Sequence, residues 1–155
     1  MENVVNELRS VVEAYSQKFY QISDSDFSAK LNPVKWSKKE VIGHLVDSAQ
    51  NNLRRFIVGQ YDHQPNIIYQ QDFWVQANNY QHAKKDDVIE LWRLINNQIA
   101  AILTSMPKEN YTKICNTGKE TPELHTIEWL ASDYVRHLKH HINQVIPKSF
   151  DIAYP

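Results

Sequence analysis

Four long stretches of the chain place apolar residues at the three-to-four-residue spacing of an amphipathic helix, and the segments between them do not. The first runs from about Asn3 to Ile22, with Val4, Leu8, Val11, Val12, Tyr15, Phe19 and Ile22 on one face. The second carries Val41, Ile42, Leu45, Val46, Ala49, Leu53, Phe56 and Ile57 and stops near Gly59. It is opened by Trp36-Ser37-Lys38-Lys39-Glu40, where Ser37 and Glu40 have the spacing of a capping box. The Ser37 hydroxyl can accept from the Glu40 amide while the Glu40 carboxylate accepts from the Ser37 amide. Trp36, just before the cap, is placed to pack on Val41 as a hydrophobic staple. The third stretch begins at Asp86-Asp87, whose negative charges suit a helix N-terminus, and it ends at Pro107. The fourth runs from about Leu124 to Ile146 and is stopped by Pro147.

The intervening segments complete the plan. Ser23 to Lys35 is a connection containing Pro33, Glu109 to Glu123 is a loop, and the tail to Pro155 is expected on the surface. Gln60 to Lys85 is about as long as a helix, with a short helix expected around Gln71 to Asn78. Strand signals are weak, and no hairpin dipeptide separates alternating apolar runs. These elements predict an all-α fold, a four-helix bundle. A long crossover between helices 2 and 3 lets two sequential helices run parallel, so the predicted order is up-down-down-up. A length of 155 residues fits one domain spanning 1–155.

Composition narrows the function classes. A formal net charge of −1, with both signs interspersed, argues against a nucleic-acid-binding face. No apolar run is long enough to span a bilayer, and the N-terminus has no signal-peptide pattern. Cys115 is the only cysteine, which excludes an intramolecular disulfide and a CxxC zinc site and fits a cytoplasmic location. A metal site in this chain therefore draws mainly on His, Asp or Glu.

The fourth stretch contains Tyr134-Val135-Arg136-His137-Leu138-Lys139-His140-His141-Ile142-Asn143-Gln144. His137 and His141 lie four residues apart and share a helical face, one turn from each other. With Leu138 at the centre of the apolar stripe, His141 falls about 60° to one side and His137 about 100° to the same side, while His140 points almost oppositely. His140 is therefore a solvated bystander. Helix 2 carries His44 near its start, and in the predicted topology that end meets the later half of helix 4. His44 falls toward the edge of its own apolar arc, which favours a site facing a groove. Three neutral imidazoles suit a divalent metal such as Zn²⁺ or Ni²⁺ with positions left for water or substrate. Asp47, Asp133 and Gln144, each about one turn from a histidine, are candidates to orient a ligand or act on bound water. Gly43 can permit a close approach beside His44. The remaining histidines, His63, His82 and His125, are assigned to the surface, with His63 and His82 as lid candidates. Trp92 and Trp129 read as packing residues, Trp74 and Tyr80 as crossover aromatics able to face a pocket, and Arg54-Arg55 and Lys84-Lys85 as solvated pairs.

The two segments Trp36-Ser37-Lys38-Lys39-Glu40-Val41-Ile42-Gly43-His44-Leu45-Val46-Asp47 and Tyr134 to Gln144 together resemble the DinB/YfiT-like superfamily of four-helix metalloproteins. The crossover stretch Asp72-Phe73-Trp74-Val75-Gln76-Ala77-Asn78 is similar as well, more loosely. The resemblance implies a divalent metal held by His44, His137 and His141, and dimers are common among such relatives. It implies a range of chemistries: thiol-dependent S-transfer with bacillithiol, mycothiol-dependent isomerisation, or metal-dependent hydrolysis. In S-transfer a low-molecular-weight thiol would be the cofactor and a small molecule the substrate. In hydrolysis Asp47 would be the catalytic proton acceptor. A non-catalytic metal-binding stress-response module is the third alternative.

Overall fold

The computed structural model describes residues 1–154; Pro155, the end of the expected surface tail, lies outside the described residues. Four long helices form the frame: α1 (Glu2–Tyr20), α3 (Lys38–Val58), α5 (Lys85–Ser105) and α6 (Ile127–Val145). Two short helices, α2 (Asp24–Ser28) and α4 (Gln71–Ala77), sit in the connections, and strands β1 (Ile114–Asn116) and β2 (Leu124–Thr126) pair antiparallel.

Side-chain pairs give the direction of each helix. Arg9 of α1 donates to Thr104 near the end of α5, while Lys85 at the start of α5 reaches the backbone oxygens of Tyr20 and Ile22, so α1 and α5 are antiparallel. Lys39 bonds Ala83 and Gln60 accepts from Asn110, so α3 and α5 ascend together. His44 meets His141 and Phe56 meets Tyr134, so α3 and α6 are antiparallel. Glu7 meets Lys139 and Tyr15 meets Phe150, so α1 and α6 are parallel. This is the up-down-down-up bundle with its crossover between the second and third long helices.

Leu8, Phe19, Ile42, Leu45, Phe56, Ile89, Trp92, Ile99 and Leu138 fill the core and are fully buried. The Ser37–Glu40 capping box is present in both directions. Trp129, expected to pack, is instead 45% exposed and stacks on His125 at 3.7 Å between ring centroids.

The departures from the expected elements are short and local. Ser23 caps α2 by accepting from the Asp26 amide, a signal five residues of helix are too few to express as periodicity. The last long helix starts at Ile127 rather than Leu124, because Thr126 caps it, its hydroxyl accepting from the Trp129 amide. Leu124–Thr126 is thereby left extended to pair with Ile114–Asn116. These strands have three residues each, below the length at which alternation is readable. The tail folds back: Phe150 packs on Tyr15, and Tyr154 donates to Asp133 at 3.1 Å and lies against His137 and His140.

Candidate metal centre

α3 carries a second stripe beside its apolar one. His44, Asp47, Ser48, Asn51, Asn52 and Arg55 recur at helical spacing, and all but the half-buried Arg55 are buried. Two of these amides cap carbonyls of their own helix, Asn51 donating to the Asp47 oxygen and Asn52 to the Ser48 oxygen. A polar stripe inside a bundle costs free energy unless it has partners. Here α6, with His137 and His141, faces it.

His44, His137 and His141 come together. One ring nitrogen from each lies within 4.8 Å of the others. The Nε2 atoms of His44 and His137 are 3.4 Å apart, and ring centroids of the three pairs are separated by 4.5 to 5.3 Å. His44 is 1% exposed, so it lies in the interior rather than at a groove edge; the opening is on the half-buried α6 side.

The outer nitrogens are steered by neighbours. The Nδ1 of His141 lies 3.1 Å from the Gln144 Oε1, where it can donate only if protonated, which leaves Nε2 with its lone pair. His137 Nδ1 lies 3.4 Å from the Ser48 hydroxyl. Gln144 was anticipated as an orienting partner; Ser48 was missed, although it sits one turn after His44 on the polar stripe. His44 Nδ1 is buried without a hydrogen-bond partner among the described residues. The Trp36 ring covers His44 at 5.0 Å. His140 is half-buried between Tyr154 and His141 and bonds Gln144, so it is less solvated than its wheel position implied.

All three cluster histidines are held in the neutral state. Burial depresses His44 to about 3, with repulsion from His141 adding to it. Burial and the surrounding histidines push His137 well below its ordinary value. Burial also lowers His141, against the opposing pull of Gln144. Three converging neutral imidazoles repel through their lone pairs and offer three donors to a cation. Two nitrogens bound to one tetrahedral zinc at about 2.0–2.1 Å are expected roughly 3.3 Å apart. The observed His44–His137 spacing of 3.4 Å meets that test.

Asp47 is fully buried. Its Oδ1 accepts from the Tyr80 hydroxyl at 2.7 Å and from Asn78 at 2.9 Å, and its Oδ2 has no partner among the described residues. Burial raises its carboxyl to about 6, against the pull of Tyr80 and then Asn78. Tyr80 reaches it by lying over Gly43, where an added Cβ would sit 2.2 Å from the ring. The close approach expected at Gly43 is therefore made by an aromatic side chain. Trp74 packs on Tyr69, His63 and His82 are exposed, and Asp133 serves Tyr154 rather than a histidine.

A cavity of about 740 Å³ opens beside the cluster, lined by residues that include Trp36, Lys35, Lys38, Val41, Asp72 and Gln144. Trp36 and Gln144 each also touch a cluster histidine, so cavity and cluster share walls. The connection before α3 and the start of α4 form its rim.

The family model of the DinB superfamily matches residues 2–145. The chain belongs to the DinB superfamily. YfiT of Bacillus subtilis (strain 168) is 24% identical over 146 residues, covering 94% of this chain and 78% of YfiT. Its solved structure, described as a probable metal-dependent hydrolase with an unusual four-helix bundle topology, superimposes with a TM-score of 0.83 at 22% identity, covering 93% of this chain and 82% of that one. A variant of the mycothiol-dependent maleylpyruvate isomerase gives a TM-score of 0.74 at 9% identity over 91% of this chain and 59% of the isomerase. These likenesses establish the shared bundle. No helix of the described residues is long and apolar enough to cross a membrane.

Proposed function

We propose that this DinB-superfamily chain is a divalent-metal-dependent enzyme acting on a small molecule, with His44, His137 and His141 as the metal ligands. The carrying observation is the convergence of three neutral imidazoles beside a cavity of about 740 Å³. That volume lies within the range of small-molecule sites. Zn²⁺ or Ni²⁺ suits the all-nitrogen donor set, and when bound such an ion acts as a Lewis acid that lowers the pKa of a coordinated thiol or water.

The chain's own residues supply placement. Ser48 and Gln144 fix two imidazoles from behind, Trp36 covers the third, and the apolar wall of Trp36 and Val41 holds the body of a substrate. Lys35 and Lys38 stand at the rim, Lys38 already paired with Asp26.

The finer reading is S-transfer from a low-molecular-weight thiol to an electrophile. It is supported by the donor cluster, which contains no carboxylate. A nucleophile delivered as a thiol needs no carboxylate beside it once ionised. Hydrolysis, supported by the likeness to YfiT, is the second reading, with Asp47 as proton acceptor at a pKa of about 6. In the S-transfer reading Asp47 is a positioning residue that ties Tyr80 and Asn78 to α3.

The test is turnover of an electrophile by zinc- or nickel-loaded protein, with and without a low-molecular-weight thiol. S-transfer predicts thiol-dependent turnover that survives Asp47→Asn. Thiol-independent turnover that falls in Asp47→Asn would remove S-transfer and leave hydrolysis. Metal binding without turnover of any electrophile or ester would leave a metal-binding module.

A further inference from the structure

Arg55 ends the polar stripe of α3, and its neighbour Arg54 is exposed. The pair was expected to be solvated, but the Arg55 guanidinium is turned inward against the crossover. Its Nε and Nη2 donate to the Ile67 carbonyl at 3.1 and 2.7 Å, and its Nη1 donates to Asn52 Oδ1 at 3.3 Å. A guanidinium has five N–H groups, so one remains on each terminal nitrogen. Among the described residues Arg55 has no carboxylate at ion-pair distance. Burial lowers its pKa, offset in part by Tyr69, Cys115 and then Asp133, and the Asp133 carboxylate is engaged by Tyr154. A half-buried cation without a counter-charge is costly unless something supplies one.

A cavity of about 130 Å³ opens beside it, lined by Arg55, Ile68, Tyr69, Gln71, Thr117 and Lys119. The lining contains two cations and no acid. Lys119 is exposed and forms no ion pair among the described residues. Burial pushes the Tyr69 phenol up against the pull of the Ser48 hydroxyl, so its O–H is turned toward the polar stripe of α3 and is not among the cavity's donors. The Thr117 hydroxyl donates to the Glu123 carbonyl, so Arg55, Lys119 and the Gln71 amide are the donors left to the cavity. Ile68 is its one apolar wall.

We infer that this cavity binds a small oxyanion, a phosphate or carboxylate group. The free N–H on each terminal nitrogen of Arg55 forms a fork for two oxygens, and Lys119 supplies the second charge from the rim. The volume admits one such group and no larger body, being well below that of small-molecule sites. Gln71 also lines the larger cavity, so one residue of the crossover separates the two. The oxyanion is therefore either a free ion or the acidic end of a longer molecule entering past Gln71.

The test uses the full, metal-free chain, titrated with inorganic phosphate at constant ionic strength against a chloride control. Calorimetry gives the affinity, and NMR follows the Arg55 Nε–H and the backbone amides of Thr117 and Gln71. The inference predicts saturable binding that shifts these signals and weakens about tenfold in Lys119→Glu, an exposed position whose reversal leaves the fold intact. Arg55→Lys keeps the charge, loses the fork and is predicted to weaken binding as well. Competition by acetate would show that the site accepts either oxyanion, and binding of phosphate alone would restrict it to tetrahedral ones. Absence of saturable phosphate binding, or equal affinity in Lys119→Glu, would overturn the inference and leave Arg55 as a clamp on the Ile67 carbonyl. Because no metal is present, failure here leaves the metal-centre reading untouched, and the converse holds.

Discussion

The Nε2 atoms of His44 and His137 face each other at 3.4 Å across the interface of α3 and α6, from positions 93 residues apart in the chain. Two buried neutral imidazoles at that distance can share one proton as a weak hydrogen bond. With His141 added, whose free nitrogen completes the cluster, two lone pairs or more converge without a proton between them. A bound cation turns that repulsion into attraction.

The depressed histidines give the metal-free protein a defined response to acid. A histidine whose folded pKa lies below its unfolded value of about 6.5 stabilises the fold fully above that pH. The contribution is lost as pH falls toward the folded value, which for His44 is about 3. Asp47 acts in the opposite sense. Its folded pKa, raised to about 6 from 3.8, favours the fold below the lower value, and that contribution is lost as pH rises through the upper one. Three histidines outweigh one carboxylate, so denaturant melts of the metal-free protein should show lower stability at about pH 5 than at about pH 7. Asp47→Asn removes the opposing contribution and should steepen that loss. Equal stability at the two pH values would contradict the burial of neutral imidazoles.

Gly43→Ala sets two effects against each other. Alanine improves helix propensity by about 1 kcal/mol. The added Cβ, however, would lie 2.2 and 2.3 Å from the base of the Tyr80 ring, which cannot yield without moving the crossover. Overpacking costs about 1–3 kcal/mol, and displacement of Tyr80 also breaks its bond to Asp47. The variant should therefore be destabilised in chemical melts. Stability equal to or above wild type would show that Tyr80 does not pack there in solution.

Gln144→Ala removes the acceptor behind His141 while sparing every proposed ligand. Loss of such an orienting partner typically weakens metal binding by about 10–100-fold. Competition with a chelating dye should register that loss with the melting behaviour of the metal-free protein unchanged. Unaltered zinc affinity would place the role of Gln144 in the cavity wall alone.

The bundle was legible because each long helix writes its apolar face into the chain at helical spacing, and the length of the crossover carried the parallel pairing of α3 and α5. His137 and His141 were legible because four residues is one helical turn, and His44 because topology brought its end of α3 to them. The connection from Asp26 to Lys38, which walls the cavity, has no period to read. Ser48 and Arg55 belonged to a readable stripe, but a polar stripe signals solvent as readily as a buried site until the facing helix is known. Tyr154 approaches His137 through a tail whose path depends on Phe150 packing against Tyr15, a contact between the two ends of the chain.

The measurement that bears most directly on the central claim is the metal content of purified protein by elemental analysis, compared with His44→Ala, His137→Ala and His141→Ala. The metal-centre account predicts about one divalent ion per chain after zinc or nickel loading and dialysis, with content lost or sharply reduced in each variant while helical content is retained. Metal content unchanged across all three variants would contradict it.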